Sequence, residues 1–133
     1  MVQSEDATVY VAARYGRREE MLEFANELTE IGWLVTSRWV LGAHGSDDGN
    51  TTRWGEYADD DVADMRAARW FILFTESEPV TRGSRLTELG YALAWGKKVI
   101  IVGPRENIFC HLPEIYRQYN SKQDLLRELG DNS

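Results

Sequence analysis

The stretch "WFILFTESEPVTRGSRLTELGYALAWGKKVIIVG", Trp70 to Gly103, decides how the chain is read. It opens on "WFILFTE", a continuous apolar run of the kind found in strands covered on both faces, and closes on a second such run, "KKVIIVG". Between them Leu86, Leu89 and Leu93 recur at helical spacing, so Ser84 to Trp95 reads as a helix with one face on a sheet. Strand, helix and strand in succession form a crossover unit, and a crossover unit joins parallel strands.

Working outward, the same alternation holds. "TVYVAA", Thr8 to Ala13, reads as a first buried strand. It is followed by a helix in which Met21, Phe24, Ala25, Leu28 and Ile31 share a face and Gly32 ends the element. "WLVTSRWV", Trp33 to Val40, reads as a second strand and the segment from Tyr57 to Arg69 as a second helix. "SKQDLLRELG" reads as a terminal helix, and Ile108 to Ile115 as a short element of unassigned type. The expectation is one α/β domain over residues 1–133, a parallel sheet of about five strands flanked by helices. Ligands of such sheets bind outside the carboxyl ends of the strands, which directs attention to "ARYGRR", "RWVLGAHG", "TESEPVTRGS" and "GPRENIF".

Bulk properties narrow the function. The chain has 133 residues, 43% of them apolar, with five Trp and a net charge of −7. That charge argues against a binder of nucleic acid polymers, which needs clustered Lys and Arg. A single cysteine, Cys110, excludes an internal disulfide framework, and His44 and His111 have no zinc-like spacing, so neither a metal nor another cofactor is expected. No apolar run approaches the roughly 20 residues that span a bilayer, and the first residues, "MVQSEDATVY", lack the pattern of an export signal. The expected setting is the cytoplasm. "LGAHGSDDGNTTRWG", from Leu41 to Gly55, reads as a polar loop long enough to form a flap over a site.

Glu88 is the residue with two readings. It lies off the leucine face, on the side of Tyr91 and Trp95. Spacing alone favours an acid near a helix start, stabilised by the helix dipole by a few tenths of a kcal/mol. The partly apolar side it shares suits a second surface, such as another subunit.

The segment "GSRLTELGYALAWGKKVIIVG" behind "WFILFTE" resembles the central signature of the nucleoside 2-deoxyribosyltransferase superfamily, which includes deoxynucleoside 5′-monophosphate N-glycosidases. In that signature a Glu, an aliphatic residue, a Gly and a small or aromatic residue lead through "A-x-x-x-GK" into an apolar strand. The likeness extends to "ARYGRREEM" and "DDDVADMRAARW". It implies a flavodoxin- or Rossmann-like fold, a small nucleoside or nucleotide as partner, and a homo-oligomer whose neighbouring subunit completes the site. It also implies that Glu88 is a nucleophile toward the anomeric carbon, cleaving the N-glycosidic bond so that the base is released or exchanged. A carboxylate suits that task because it stabilises an oxocarbenium-like centre and can trap the sugar covalently.

By the same resemblance Asp61 is the second catalytic acid, ahead of Asp64, while Asp59 and Asp60 read as solvated helix-start charges. Arg14 and Tyr15 become candidates for sugar or phosphate contact, with Arg17 and Arg18 read as surface charges. Trp39 is either a base-stacking surface or a core residue, as is Trp54. Arg82 stands where the monophosphate glycosidases have Ser, and with Gly83 and Ser84 at a helix start it could receive a 5′-phosphate; an ordinary surface Arg is the alternative. Asn107 lies in a loop able to reach the site. The departure at Arg82 also leaves room for a non-catalytic nucleotide-binding or sensing module.

Overall fold

The computed structural model describes residues 6–42, 51–78 and 83–131. Five strands, β1 (Thr8–Ala12), β2 (Leu34–Val35), β3 (Trp70–Phe74), β4 (Lys98–Val102) and β5 (Ile115–Tyr119), pair in parallel in the order β2-β1-β3-β4-β5. Four helices, α1 (Arg18–Glu30), α2 (Trp54–Arg66), α3 (Ser84–Ala94) and α4 (Lys122–Asp131), flank the sheet. The expected α/β architecture is the one observed. Strand order reverses beside β1, which has β2 on one side and β3 on the other, so the crevice that such folds use for ligands opens between β1 and β3.

The apolar runs are central because they are covered twice. Every residue of β3 is buried, as are Val99 to Val102 of β4 and Val9 to Ala12 of β1. Helix α1 buries Met21, Phe24, Ala25 and Leu28, while Ile31 is only partly covered. Gly32, at φ +100°, turns the chain so that the Trp33 amide donates back to the Leu28 carbonyl.

Three boundaries differ from the expected ones. The second strand pairs only over Leu34–Val35, because Ser37 and Trp39 then replace the backbone as partners of β1. The Val11 amide donates to Ser37 Oγ at 3.2 Å, and the Trp39 indole N–H donates to the Val11 carbonyl at 2.7 Å. With both backbone groups of Val11 satisfied by side chains, the chain is free to coil into a 3-10 turn over Arg38–Leu41. Helix α2 starts and ends three residues earlier than expected, since the chain must leave it to reach Trp70. The unassigned element near Ile108 resolves into a 3-10 turn, Ile108–His111, and the edge strand β5.

Candidate functional site

Helix α3 leaves the carboxyl side of β3 and carries Glu88 just past its first turn. Glu88 does not face outward. The Tyr10 hydroxyl, from the middle of β1, donates to Glu88 Oε2 at 2.5 Å, and Asp61 of α2 shares a side-chain hydrogen bond with the same carboxyl. Leu89 and Ala92 seat α3 on the sheet, with Leu86 and Leu93 half-buried beside them. The side of α3 beyond the leucine face is partly covered by α2 of the same chain, which places Arg66 4.4 Å from the Trp95 ring centroid. Glu88, off the leucine face as its spacing implied, is received by the gap between α2 and β1.

The acidic run on α2 divides sharply. Asp61 meets Glu88, whereas Asp64, 7% exposed, accepts from Arg38 Nε–H at 2.9 Å and from the Arg38 amide at 2.9 Å. Asp60 lies 3.4 Å from the same guanidinium. Arg38 thus holds two neighbours of Asp61 away from Glu88.

Burial first, and then the Asp61 charge, push the Glu88 carboxyl up to about 8. Burial and the Asp64 charge push Asp61 up to about 7. Two contacting carboxyls cannot both ionise cheaply, so near neutrality the pair holds about one proton between them. Tyr10, itself raised by burial and by Glu88, stays a phenol and donates to the Glu88 carboxyl. The arrangement can therefore present one carboxylate and one carboxylic acid at the same point, with a neutral donor orienting them.

A second cluster ties the loops that follow β1, β3 and β4. Arg85, 2% exposed at the start of α3, donates from both terminal nitrogens to the two oxygens of Glu106, each at 2.6 Å. Burial opposes ionisation of Glu106, but Arg85 and the Glu76 amide, donating at 3.0 Å, hold it below the usual carboxylate range. The Glu76 carboxylate pairs with Arg14 at 3.3 Å and with Arg17 at 3.0 Å, and Arg17 also forks onto Glu20 at 2.9 Å.

The remaining sequence candidates are dispersed. Arg14 has 48% side-chain exposure and already faces Glu76. Tyr15 is partly buried against Trp39, with ring centroids 6.2 Å apart. Trp39 is 4% exposed, which corrects the stacking surface to a core residue. Trp54, by contrast, is 43% exposed at the start of α2. Gly83 adopts φ +68° ahead of α3, and Ser84 is exposed. Asn107 is committed elsewhere: its side-chain oxygen accepts from the amides of Phe109 and Cys110, capping the 3-10 turn. Arg82, His44 and most of the expected flap lie outside the described residues.

Sequence reasoning passed over Tyr10, whose signal was a phenol in a buried strand that must find an acceptor. It also read Arg17 as a surface charge, although that residue donates to Glu20, Glu76 and the Thr75 carbonyl. Among the described residues no group of acids, histidines or cysteines is arranged to hold a metal ion. No described helix is long and apolar enough to cross a membrane. A surface cleft of about 460 Å³ beside Leu93, Lys98 and Ile115 lies at the amino ends of β4 and β5, away from the carboxyls. Another, about 280 Å³, is lined by Arg17, Thr75, Gly103 and Lys122 at the carboxyl ends.

No protein-family model matches the sequence. No curated protein matches it either. Solved structures do. The 2-deoxyribosyltransferase of Bacillus psychrosaccharolyticus superposes with a TM-score of 0.72 over 90% of both chains at 15% identity. The CMP N-glycosidase BcmB of Clostridium botulinum gives 0.60 over 95% of this chain and 99% of its own, at 24% identity. A conserved protein of Enterococcus faecalis gives 0.62 at 15% identity, over 96% and 99%. The chain thus shares its fold with these three structures, among them a 2-deoxyribosyltransferase and a CMP N-glycosidase.

Proposed function

We propose that the protein cleaves the N-glycosidic bond of a deoxynucleoside or deoxynucleoside 5′-monophosphate, with Glu88 as nucleophile and Asp61 as acid. The observation that carries this reading is the contact of Glu88 with both Asp61 and Tyr10 beside the reversal in strand order. A fold shared with a 2-deoxyribosyltransferase and a CMP N-glycosidase supports the same class of reaction.

The shared proton gives the pair its direction. At rest it lies toward Glu88, the group pushed higher. Its passage to Asp61 yields a Glu88 carboxylate and an Asp61 carboxylic acid in one step. The carboxylate attacks C1′, the C1′–N bond breaks, and its electron pair leaves with the base, which takes the proton from Asp61. Water then attacks C1′ and gives its proton to the Asp61 carboxylate as the C1′–O bond to Glu88 breaks, which frees the sugar and returns Glu88 as a carboxylate; a second base attacking C1′ in the same way forms a new nucleoside. Tyr10 steadies the carboxylate before attack. Arg14 and Arg82, with Gly83 and Ser84 at the start of α3, are the groups assigned to a 5′-phosphate. The protein is read as a cytoplasmic homo-oligomer, for which the 42% exposure of Tyr91 on α3 offers support.

A panel of deoxynucleosides and their 5′-monophosphates, followed by chromatography of released base, tests the proposal with wild type and Glu88→Ala. Base release by wild type and its loss in the variant are expected; equal activity in both would remove Glu88 as nucleophile. The departure at Arg82 favours a second reading, nucleotide binding without turnover. Tight binding with the ligand intact after long incubation would select it.

A further inference from the structure

The buried face of α3 runs through positions 85, 89 and 92, and its first member is an arginine. A Met or Leu there would continue the apolar stripe, and burying a guanidinium is unfavourable unless it is fully paired. Arg85 is fully paired, through two parallel 2.6 Å bonds to Glu106. Such a fork fixes direction as well as distance, because two N–H donors must lie in the plane of the carboxylate.

Among the described residues, the helix start itself does little to fix the amino end of α3. Its N-cap is Gly83, with no side-chain cap, and no acid occupies the first turn. Glu106, in contrast, is anchored beyond Arg85: its Oε1 also accepts the Glu76 amide, and Glu76 is held by Arg14 and Arg17 from the loop after β1. Glu88 stands three residues after Arg85, one helical turn along, so a rotation of α3 about its axis displaces the Glu88 carboxyl directly. A 2.5 Å bond to Tyr10 tolerates little displacement.

We propose that Arg85 is a positioning residue, which through Glu106 sets the rotation of α3 and so aims the Glu88 carboxyl at Tyr10 and Asp61. This rests on the reading of Glu88 as nucleophile. The pair keeps Arg85 away from substrate: a guanidinium that is 2% exposed and doubly bonded is not a phosphate ligand.

The test compares wild type with Arg85→Met, Arg85→Lys and Glu106→Gln by steady-state kinetics, thermal melting and an NMR titration of the Glu88 carboxyl carbon. Arg85→Met should melt below the wild-type temperature, because the Glu106 carboxylate loses its partner. Below that melting temperature its kcat should fall about 10- to 100-fold, with KM changed less than about threefold, and the Glu88 titration should shift. Arg85→Lys, which lacks the fork, should recover only part of the rate. Wild-type kcat together with an unshifted Glu88 titration in Arg85→Met would overturn the proposal. If that variant fails to fold, Glu106→Gln carries the same expectations and the same overturning result. Should wild type turn over no substrate, the functional reading fails, while the Glu88 titration still decides whether Arg85 positions the carboxyl.

Discussion

Tyr10 and Glu88, 78 positions apart in the chain, meet through a 2.5 Å hydrogen bond from the phenol to the carboxyl. The Tyr10 ring stacks on Phe71 of β3, centroids 5.7 Å apart and planes 3° from parallel, so the donor is held by the sheet itself. Tyr10→Phe keeps that stacking and deletes the donor. Since the Tyr10 bond lowers the Glu88 titration, its loss should raise it further and leave less nucleophile at neutral pH. A charge-assisted bond is worth about 1.5–3 kcal/mol. We expect kcat to fall about 10- to 100-fold, with the acid limb of its pH profile moved upward. A wild-type rate and profile in Tyr10→Phe would show that the bond is not used.

The raised carboxyl of Glu88 also shapes stability. Its ordinary value is 4.5 and its folded value about 8, so between these the folded chain holds a proton that the unfolded chain has released. Stability from this group is present below about pH 4.5 and declines as pH rises toward 8. Glu88→Gln removes the titration while keeping the size and hydrogen-bonding reach of the side chain. Melting curves should show little difference from wild type at pH 5 and a gain of about 3 °C or more at pH 8. The same offset at both pH values would mean that Glu88 does not titrate in this range.

The strands that residue type reveals are the ones buried on both faces. "WFILF" and "VIIV" have no polar positions, and their identity does not depend on anything distant in the chain. The edge strand "IYRQY" escapes that reading because Tyr116 and Arg117 are exposed and its place is set by pairing with β4, across a register shift at Val99 and Ile100. Trp33 to Val40 errs the other way, since its apolar pattern continues after Ser37 and Trp39 have taken over from the ladder. Asp61 and Glu88 stand out by their relation to motifs. Tyr10, Arg38 and Arg85 do not: each matters through a partner from another element, and local spacing carries no trace of such a partner.

Asp64 tests how the acidic run is divided. Its charge is the second cause of the raised Asp61 titration, after burial, and Arg38 holds it in place. Asp64→Asn removes the charge and keeps an acceptor for Arg38, whose 52% side-chain exposure leaves the guanidinium solvated. The Asp61 titration should fall, the pair should lose its shared proton at lower pH, and the basic limb of the kcat/KM profile should move down. An unmoved basic limb would place the controlling proton elsewhere.

Gly103 connects the end of β4 to the loop that carries Glu106, and it does so at φ +114°, a conformation that disfavours any side chain. A β-carbon there would lie 2.5 Å from Thr75 Oγ1, whose hydroxyl bonds to the Pro104 carbonyl at 2.6 Å. Gly103→Ala therefore carries two separable costs, backbone strain and collision, together about 2–4 kcal/mol. Thr75→Ala removes the colliding hydroxyl together with the γ-methyl, and loses a hydrogen bond worth about 1 kcal/mol. In a double-mutant cycle by urea unfolding, Gly103→Ala should cost less in the Thr75→Ala background than in wild type, by about 1 kcal/mol. Additive costs would assign the whole penalty to the backbone and none to the contact with Thr75.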